Sequence, residues 1–384
     1  MITRDIAYIG VDDTDLDLFE SQYIIPNGIS YNSYLIKDEK IAIMDTADNR
    51  KIDEWLGNLR TALDGRTPDY LMVQHMEPDH AGCIAEILEE YPAIKIVASA
   101  RAIQMMPQFF EDKDFSQNTI AVKEGDTLCL GEHTLQFFMA PMVHWPEVMV
   151  TYDKKDKVVF SADGFGKFGA LSHEEDWACE ARRYYFNICG KYGGPVQALL
   201  KKLATLDVEC ICPLHGPILK ENLGYYIGLY DTWSKYDVET EGVFIAYASI
   251  HGGTAAVANV MAEILREKGA KKVSVADLNR DDMAEAIEDA FRMDKMIVAA
   301  ASYDGGVFPV MHDFLHHLQI KAYQKRRVGI IENGSWAPCA GRVMRGMLEQ
   351  MKDVEIAEPM VTILSRMKQS DRAALEALAD AILK

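Results

Sequence analysis

Two patterns of apolar residues divide the chain into two parts. Up to about residue 240, short apolar runs are interrupted by polar turns, which is typical of β-strands with interspersed helices. The segment 31–48 predicts two strands around a polar turn, and the segments 134–141 and 157–163 predict strands that end at Pro141 and Asp163. From Val243 onward, apolar runs alternate with stretches of helical periodicity. The sequence therefore predicts two domains, residues 1–240 and 241–384, with the boundary beside the polar, acidic segment 236–242.

The second part has the alternation of a doubly wound parallel sheet. Its strands are predicted within the segments 243–247, 272–277, 295–301, 327–331 and 354–359. Each strand is followed by a predicted helix, beginning near Thr254, Asp281, Phe308, Ala340 and Asp371. Five strand and helix pairs of this kind predict an α/β domain with helices on both faces of the sheet.

The length of the chain favours two domains, and its charge makes some classes of binding partner less suitable. A chain of 384 residues exceeds what one hydrophobic core usually serves. Its 59 acidic and 40 basic residues give a formal charge of −19, which argues against nucleic acid or an anionic membrane surface as a partner. The beginning of the chain lacks the pattern of a signal peptide, and no apolar stretch has the length of a membrane span. We therefore expect a cytoplasmic protein.

The cysteines indicate reduced, mostly buried thiols. They number seven and are scattered, and Cys210 and Cys212 are too close for a C-x-x-C pair. A rubredoxin-type iron centre needs two such pairs. An electron donor of that type is therefore expected to be a separate protein.

Seven candidate metal ligands occur beside predicted strand ends. Four of them lie in the segment VQHMEPDHAG (73–82), where Pro78 favours a loop that can wrap around a metal. The seven are His75, Glu77, Asp79, His80, His144, Asp163 and His215. They exceed the needs of one tetrahedral zinc and suit two ions that share a carboxylate, for which Asp163 is the natural bridge. These donors suit non-haem iron, although they also accept zinc or manganese. His133 and His173 are interpreted as ordinary turn residues without a metal role.

Three glycine-containing loops at strand ends of the second domain predict a ligand site. The candidate residues are Ser249, Ile250, His251, Gly252, Gly253 and Thr254 in the first loop, Ser302, Tyr303, Asp304, Gly305 and Gly306 in the second, and Asn333, Gly334, Ser335, Trp336 and Ala337 in the third. The first loop offers hydroxyls and backbone N–H groups to a phosphate at a helix N-terminus. Tyr303 or Trp336 could stack on a flat ring, although such a Trp also serves as a loop anchor packed on its own domain. The histidines 312, 316 and 317 have helical spacing and predict a polar helix face.

These motifs resemble those of the flavodiiron proteins, also called A-type flavoproteins. The resemblance rests on H-x-E-x-D-H (75–80), HWPE, DGFG and PLHGP in order, followed by the three loops. It implies an N-terminal metallo-β-lactamase-like αββα sandwich and a C-terminal flavodoxin-like domain that binds FMN. The hydrolases of the first fold typically carry histidine in place of Glu77, so this anionic ligand favours iron over hydrolytic zinc. The phosphate loop departs from the usual pattern, because His251 and Gly252 stand where Ser or Thr is more common.

The resemblance also implies ligand roles and an activity. His75, Glu77, His144 and bridging Asp163 would hold one iron, whereas Asp79, His80, His215 and Asp163 would hold the other. Electrons would pass from a separate donor such as rubredoxin through FMN to the two irons, which reduce dioxygen to water, nitric oxide to nitrous oxide, or both. The expected assembly is a head-to-tail homodimer or a dimer of such dimers.

Two other classes fit part of the pattern. A zinc-dependent hydrolase with an appended flavodoxin-like domain would use the same first fold, but Glu77 and the three flavin loops argue against it. A non-catalytic flavin electron carrier or redox sensor with a purely structural metal domain would need no complete ligand set. The presence of all seven ligands argues against that class.

Overall fold

The computed structural model describes residues 2–111 and 113–384 and separates into two compact units, Met1–Asp231 and Thr232–Lys384. The division falls within the helix Leu223–Ser234. The boundary between residues 240 and 241, with its assignment to a diiron and a flavin domain, stays a prediction. No helix within the described part of the chain is both long enough and apolar enough to span a bilayer.

The first unit is built from fifteen strands and seven α-helices among the described residues. The strands are β1 (Ile6–Tyr8), β2 (Val11–Asp13), β3 (Leu18–Phe19), β4 (Tyr23–Ile24), β5 (Ile29–Tyr31), β6 (Tyr34–Lys37), β7 (Ile41–Met44), β8 (Tyr70–Val73), β9 (Lys95–Ser99), β10 (Thr119–Val122), β11 (Thr127–Cys129), β12 (Thr134–Met139), β13 (Met149–Asp153), β14 (Val158–Phe160) and β15 (Cys210–Cys212). The helices are α1 (Ile52–Leu63), α2 (Pro78–Ala81), α3 (Ile84–Glu90), α4 (Ala100–Phe109), α5 (Trp177–Tyr184), α6 (Gly193–Leu203) and α7 (Leu223–Ser234).

Two main sheets form the centre of this unit. One has the order β1-β6-β7-β8-β9-β10 and the other the order β11-β12-β13-β14-β15. Their inner faces share one apolar core, to which Met44 and Met72 contribute from the first sheet and Phe137 and Phe160 from the second. Helices such as α1 and α4 have an apolar side, so they cover the sheets and leave their polar side to solvent. The predicted αββα sandwich is confirmed.

The loop predicted around Pro78 is in part a helix. Pro78 begins the one-turn helix α2, with Glu77 as its N-cap residue. Proline suits the first helical position because its missing N–H has no partner there in any case and its fixed φ favours the turn. The prediction of a loop is therefore wrong for residues 78–80, which are helical. The turn carries Asp79 and His80 on a defined backbone.

The second unit holds one sheet in the flavodoxin-like order. Its strands are β16 (Thr240–Ala248), β17 (Val273–Asp277), β18 (Met293–Tyr303), β19 (Gly306–Val307), β20 (Arg327–Asn333), β21 (Glu355–Ile356) and β22 (Val361–Ile363). Its helices are α8 (Gly253–Glu267), α9 (Met283–Arg292), α10 (Pro309–Ile320), α11 (Ala340–Leu348) and α12 (Arg372–Ile382). The order β17-β16-β18-β20-β21 is parallel, with β19 as an antiparallel appendage of β18. The predicted doubly wound sheet is confirmed.

The fifth predicted strand is divided into two. The strands β21 and β22 both pair with β20, through Arg327 with Glu355 and through Ile331 with Val361. Pro359 lies between them, and proline cannot donate a hydrogen bond to a sheet. The strand predicted within 354–359 therefore stops early and resumes beyond the proline.

His133 is buried in a network of carboxylates. Its Nδ1 lies 2.9 Å from Oδ2 of Asp153, and its backbone N–H donates to Oδ2 of Asp38 at 2.7 Å. Its Nε2 lies 3.5 Å from Oδ2 of Asp5. The predicted structural role fits this position in the turn between β11 and β12. The partner Asp153 was not predicted, because it is remote in sequence. Burial favours the neutral ring, yet the Asp153 carboxylate raises the pKa of His133 above its ordinary value.

A raised pKa makes the contribution of His133 depend on pH. A group with a raised folded-state pKa stabilises the fold below its unfolded pKa, and this stabilisation disappears as the pH rises through the folded pKa. We expect His133→Gln to lower the free energy of unfolding by on the order of 1–3 kcal/mol at about pH 5.5 and by less at about pH 8.5. Urea unfolding at both pH values measures this difference. His173→Gln, a change at an exposed histidine of the same unit, is the control. An equal loss for His133→Gln at the two pH values would contradict the assignment.

Candidate metal centre and flavin cavity

The structure brings the seven predicted ligands of the first unit together. His75 and Glu77 follow β8, while Asp79 and His80 lie on α2. The other three follow the strands of the second sheet: His144 comes after β12, Asp163 after β14 and His215 after β15. Because β14 and β15 are parallel neighbours, the residues after them emerge at the same edge. Their ligating atoms form two groups, which are His75, Glu77, His144 and Asp163, and Asp79, His80 and His215.

The carboxylate of Asp163 faces both groups. Its Oδ2 lies 3.3 Å from Nε2 of His75 and 3.2 Å from Nε2 of His144. Its Oδ1 lies 3.1 Å from Nε2 of His80 and 3.9 Å from Nε2 of His215. One oxygen therefore points to each group, which is the arrangement that a carboxylate bridging two cations requires.

Each group has a second carboxylate. In the first group, Oε2 of Glu77 lies 3.1 Å from Nε2 of His75 and 3.0 Å from Nε2 of His144. In the second, Oδ2 of Asp79 lies 3.3 Å from Nε2 of His80 and 3.2 Å from Nε2 of His215. The two sides thus repeat one pattern of two imidazoles around a carboxylate oxygen.

Several of these atoms lack a conventional partner. Both side-chain oxygens of Asp79 and of Asp163, and Nε2 of His80 and of His215, are buried without a hydrogen bond within the described part of the chain. Buried charged groups are stable when they are paired or coordinate a metal. Oxygen and imidazole donors that converge in this way fit two divalent cations of the iron, manganese or zinc type.

Burial and neighbouring charges raise the pKa of some side chains of the centre and lower that of others. Burial raises the pKa of Asp79 to about 7, because an ionised carboxylate loses its hydration there. Burial acts in the same direction on Asp163, but the neighbouring His75 and His80 hold its pKa well below the ordinary value. For His144, the neighbouring carboxylates of Asp163 and Glu77 outweigh burial and raise the pKa to about 9. Opposed shifts within one cluster are typical of functional sites.

Other residues orient the imidazoles. Nδ1 of His75 donates to Oε1 of Glu147 at 2.8 Å, and the same oxygen accepts from the backbone N–H of Met76 at 2.9 Å. Nδ1 of His215 donates to the carbonyl oxygen of Ser30 at 2.7 Å. These bonds leave Nε2 of both rings free to face the centre. Sequence reasoning missed both partners. The HWPE motif contained Glu147, but nothing in its spacing predicts a bond to His75.

Aromatic side chains enclose the centre. The ring centroids of Phe19 and Tyr184 lie 5.4 Å and 5.5 Å from that of His215, and the Trp145 ring meets His75 edge-on at 5.2 Å. Such contacts exclude water from the back of the imidazoles and strengthen electrostatic interactions at their front.

The predicted loops of the second unit surround a cavity of about 1010 Å³. Its lining comprises Ser249, Ile250, His251, Gly252, Gly253, Thr254, Ala256, Ala301, Ser302, Tyr303, Asp304, Gly305, Asn333, Gly334, Ser335, Trp336, Ala337, Cys339, Ser365, Arg366 and Met367. Of the predicted contacts, Gly306 alone is absent from this lining, because it pairs with Tyr303 in the strand β19. The loop 365–367 was missed, since its residues carry no glycine or hydroxyl-rich pattern beyond Ser365.

The first loop has the features of an anion cradle. Gly252 has φ +82° and serves as N-cap of α8, a conformation that glycine adopts without strain. The hydroxyl oxygen of Ser249 is buried without a hydrogen bond in the part of the chain that the structure describes. Thr254 is 2% exposed and lines the cavity. An orphaned hydroxyl beside the N-terminus of a helix fits the phosphate of a flavin nucleotide.

Two of the predicted contacts also hold the loops in place. The hydroxyl oxygen of Ser302 accepts hydrogen bonds from the backbone N–H groups of Cys339, at 2.8 Å, and Ala340, at 3.1 Å, and so caps α11. The side chain of Asn333 donates to the carbonyl oxygen of Ser365 at 2.9 Å and accepts from its N–H at 3.0 Å. Ser302 and Asn333 therefore shape the cavity, because their polar atoms hold the surrounding loops in place.

Trp336 lies open at the mouth of the cavity. It is 91% exposed, so the alternative of a loop anchor packed on its own domain was wrong. Tyr303 is 45% exposed and packs edge-on against Phe308. Both rings present apolar area to whatever enters the cavity.

The histidines 312, 316 and 317 lie on α10, as predicted from their spacing.

The sequence of this chain is similar to a known family model and to several known proteins. The sequence model of the ODP family of β-lactamases matches residues 29–216. An uncharacterised protein of Methanocaldococcus jannaschii, MJ0732, is 30% identical over 91% of this chain and 89% of its own. The anaerobic nitric oxide reductase flavorubredoxin of Escherichia coli is 28% identical over 88% of this chain and 72% of its own. The chain spans 64% of a diflavin flavoprotein of Synechocystis, at 29% identity over 96% of this chain, so that relative is considerably longer.

Solved structures of other proteins match the fold of both units. The rubredoxin oxygen:oxidoreductase of Desulfovibrio gigas superposes with a TM-score of 0.93, at 26% identity, covering 100% of this chain and 97% of that one. A flavodiiron protein of Giardia intestinalis has the same fold, with a TM-score of 0.91 at 21% identity over 99% and 95% of the two chains. With a paired carboxylate and imidazole centre in one unit and a nucleotide cavity in the other, the chain belongs to the flavodiiron proteins, oxidoreductases that carry FMN and a diiron centre.

Proposed function

We propose that this flavodiiron oxidoreductase takes electrons from a separate donor such as rubredoxin and reduces dioxygen to water, nitric oxide to nitrous oxide, or both. Two relatives support the choice of substrates: one is named for oxygen and rubredoxin, the other for nitric oxide. The observation that carries the proposal is the carboxylate of Asp163, whose two oxygens each face a separate group of imidazoles. A single hydrolytic zinc would not need this arrangement.

The ligand roles follow from the two groups. Oδ2 of Asp163 would hold one iron together with His75, Glu77 and His144, and Oδ1 would hold the other together with Asp79, His80 and His215. Bound iron and FMN would supply the electron transfer chemistry that amino-acid side chains lack. Carboxylate ligands suit an iron that gives up electrons, because their negative charge favours the more oxidised, more positive state of a metal.

The remaining residues of the centre position the ligands. Glu147 holds the His75 ring so that Nε2 points inward, and the Ser30 carbonyl does the same for His215. The low pKa of Asp163 keeps this carboxylate ionised with both oxygens available. Tyr184 and Phe19 exclude water behind His215. The chain thereby presents its donors in a fixed geometry.

The flavin would occupy the cavity of the second unit. Ser249, Thr254 and the backbone N–H groups at the start of α8 would bind its phosphate. Tyr303 and Trp336 at the mouth would contact the ring, and the glycines beside them leave room for a flat ligand. This cavity disfavours a zinc hydrolase, which has no use for a flavin.

The composition of the purified protein tests the class directly. We expect flavin absorption in the visible spectrum and about one FMN and two irons per chain, because the cavity and the two ligand groups are complete. The measurements are a visible spectrum, flavin analysis after denaturation and metal analysis of the same sample. Zinc without flavin would favour the hydrolase, and flavin without iron the electron carrier.

Two aspartates distinguish a shared ligand from a ligand of one side. Asp163→Ala should remove both irons, because each group loses an oxygen, whereas Asp79→Ala should weaken only the second group. Iron content per flavin after dialysis measures the difference, and circular dichroism checks the fold of both variants. Glu54→Ala, at an exposed position of α1, is the control. Loss of one iron equivalent from Asp163→Ala would mean that Asp163 is not a bridge.

The oligomeric state is part of the proposal. The resemblance implies a head-to-tail homodimer, or a dimer of dimers, in the cytoplasm, with the flavin of one chain serving the irons of its partner. We therefore expect turnover per chain to fall on dilution as dimers dissociate. Sedimentation velocity and steady-state turnover over the same concentration range measure this together. A monomer that retains full turnover would contradict the dimer.

A further inference from the structure

Arg366 stands out in the lining of the flavin cavity. The charged side chains of that lining are Asp304 and Arg366, and the predicted phosphate loop contains neither lysine nor arginine. Arg366 is exposed, and its guanidinium takes part in no hydrogen bond or ion pair with the residues that the structure describes. An unpaired guanidinium in a ligand cavity has five donors to offer and no internal partner to lose.

The loop that carries Arg366 is fixed against the phosphate loop. A Cβ placed on Gly253 would lie 2.5 Å from the carbonyl oxygen of Ser365, so the two loops are in close contact. Ser365 has φ +68° and is held by two hydrogen bonds to Asn333. On the other side, Met367 packs against the apolar core of the unit. Arg366 is thus presented beside the N-terminus of α8 by anchored neighbours.

The phosphate loop by itself is poor in side-chain donors. Its hydroxyls are those of Ser249 and Thr254, and the positions between them are Ile250, His251, Gly252 and Gly253. The phosphate of FMN carries a charge of about −1.5 to −2 at neutral pH by analogy with other phosphate monoesters. In a chain with a formal charge of −19, a local positive charge favours the binding of this dianion. Arginine suits phosphate especially well, because its planar fork forms two parallel hydrogen bonds.

We propose that Arg366 is the cation that binds the FMN phosphate, so that a side chain from the loop after β22 completes the cradle that the loop after β16 begins. This inference rests on the proposed flavin site. It assigns to Arg366 the selectivity of the protein for FMN over riboflavin, the same flavin without a phosphate. It also makes the affinity for FMN dependent on ionic strength, since an exposed charge pair is screened by salt.

Flavin titrations of the full-length chain test the proposal. The chain is freed of flavin, and the fluorescence of added FMN or riboflavin is followed for the unaltered protein, Arg366→Ala and Arg366→Lys. Arg366→Ala should bind FMN about tenfold or more weakly and riboflavin within about twofold of the unaltered protein, because a bidentate contact to phosphate is lost. Arg366→Lys should restore part of the FMN affinity, since it returns the charge without the fork.

Lys368→Ala is the matched control. It removes the same charge two residues along the same segment, but Lys368 does not line the cavity. It should leave both affinities unchanged. The decrease in FMN affinity between about 0.05 and 0.5 M salt should also be smaller for Arg366→Ala than for Lys368→Ala.

The outcomes separate this inference from the function on which it rests. Equal weakening of FMN and riboflavin by Arg366→Ala would make Arg366 a structural residue and overturn the inference while leaving the flavin site intact. Unchanged FMN affinity in Arg366→Ala would overturn it as well. Failure of the unaltered chain to bind either flavin would overturn the proposed function and the inference together.

Discussion

The carboxylate of Asp163, buried between two pairs of imidazoles, is the interaction on which the first unit depends. Each of its oxygens faces a different group, at 3.1–3.9 Å from the Nε2 atoms. A buried carboxylate without compensation is costly, and the same holds for the imidazoles around it. Two cations would satisfy the donors of both sides at once. The electrostatics of the centre therefore link folding of this unit to metal binding.

The sandwich supplies what that centre needs. Its strands end at one edge, so residues remote in sequence emerge together after β8, β12, β14 and β15. Bonds from Glu147 and the Ser30 carbonyl fix the rings of His75 and His215. Aromatic side chains remove water behind them. Geometry, rather than any unusual residue, makes the donors act as one site.

The second unit offers a different kind of site for a charged ligand. Its cavity is lined by the start of α8, by a hydroxyl without an internal partner and by one arginine. Partial charges of this kind hold a dianion without burying a fixed side-chain charge in the core. Asn333 and Ser302 shape the site by tying loops and capping α11. These two predicted ligand contacts therefore also hold the loops of the cavity in place.

The sequence by itself predicted the two α/β domains and all seven candidate ligands, because strand periodicity and ligand chemistry are local properties. It also predicted the three glycine loops, since phosphate cradles need glycine at particular positions. It did not predict the turn of helix at Pro78 or the break at Pro359, where proline permits more than one local structure. Pairs such as His133 with Asp153 and Glu147 with His75 join residues that are distant along the chain, and the loop of Arg366 meets the phosphate loop through Ser365 and Gly253. Only the tertiary structure decided these, because packing of whole sheets brings such residues together and no local pattern encodes their distance.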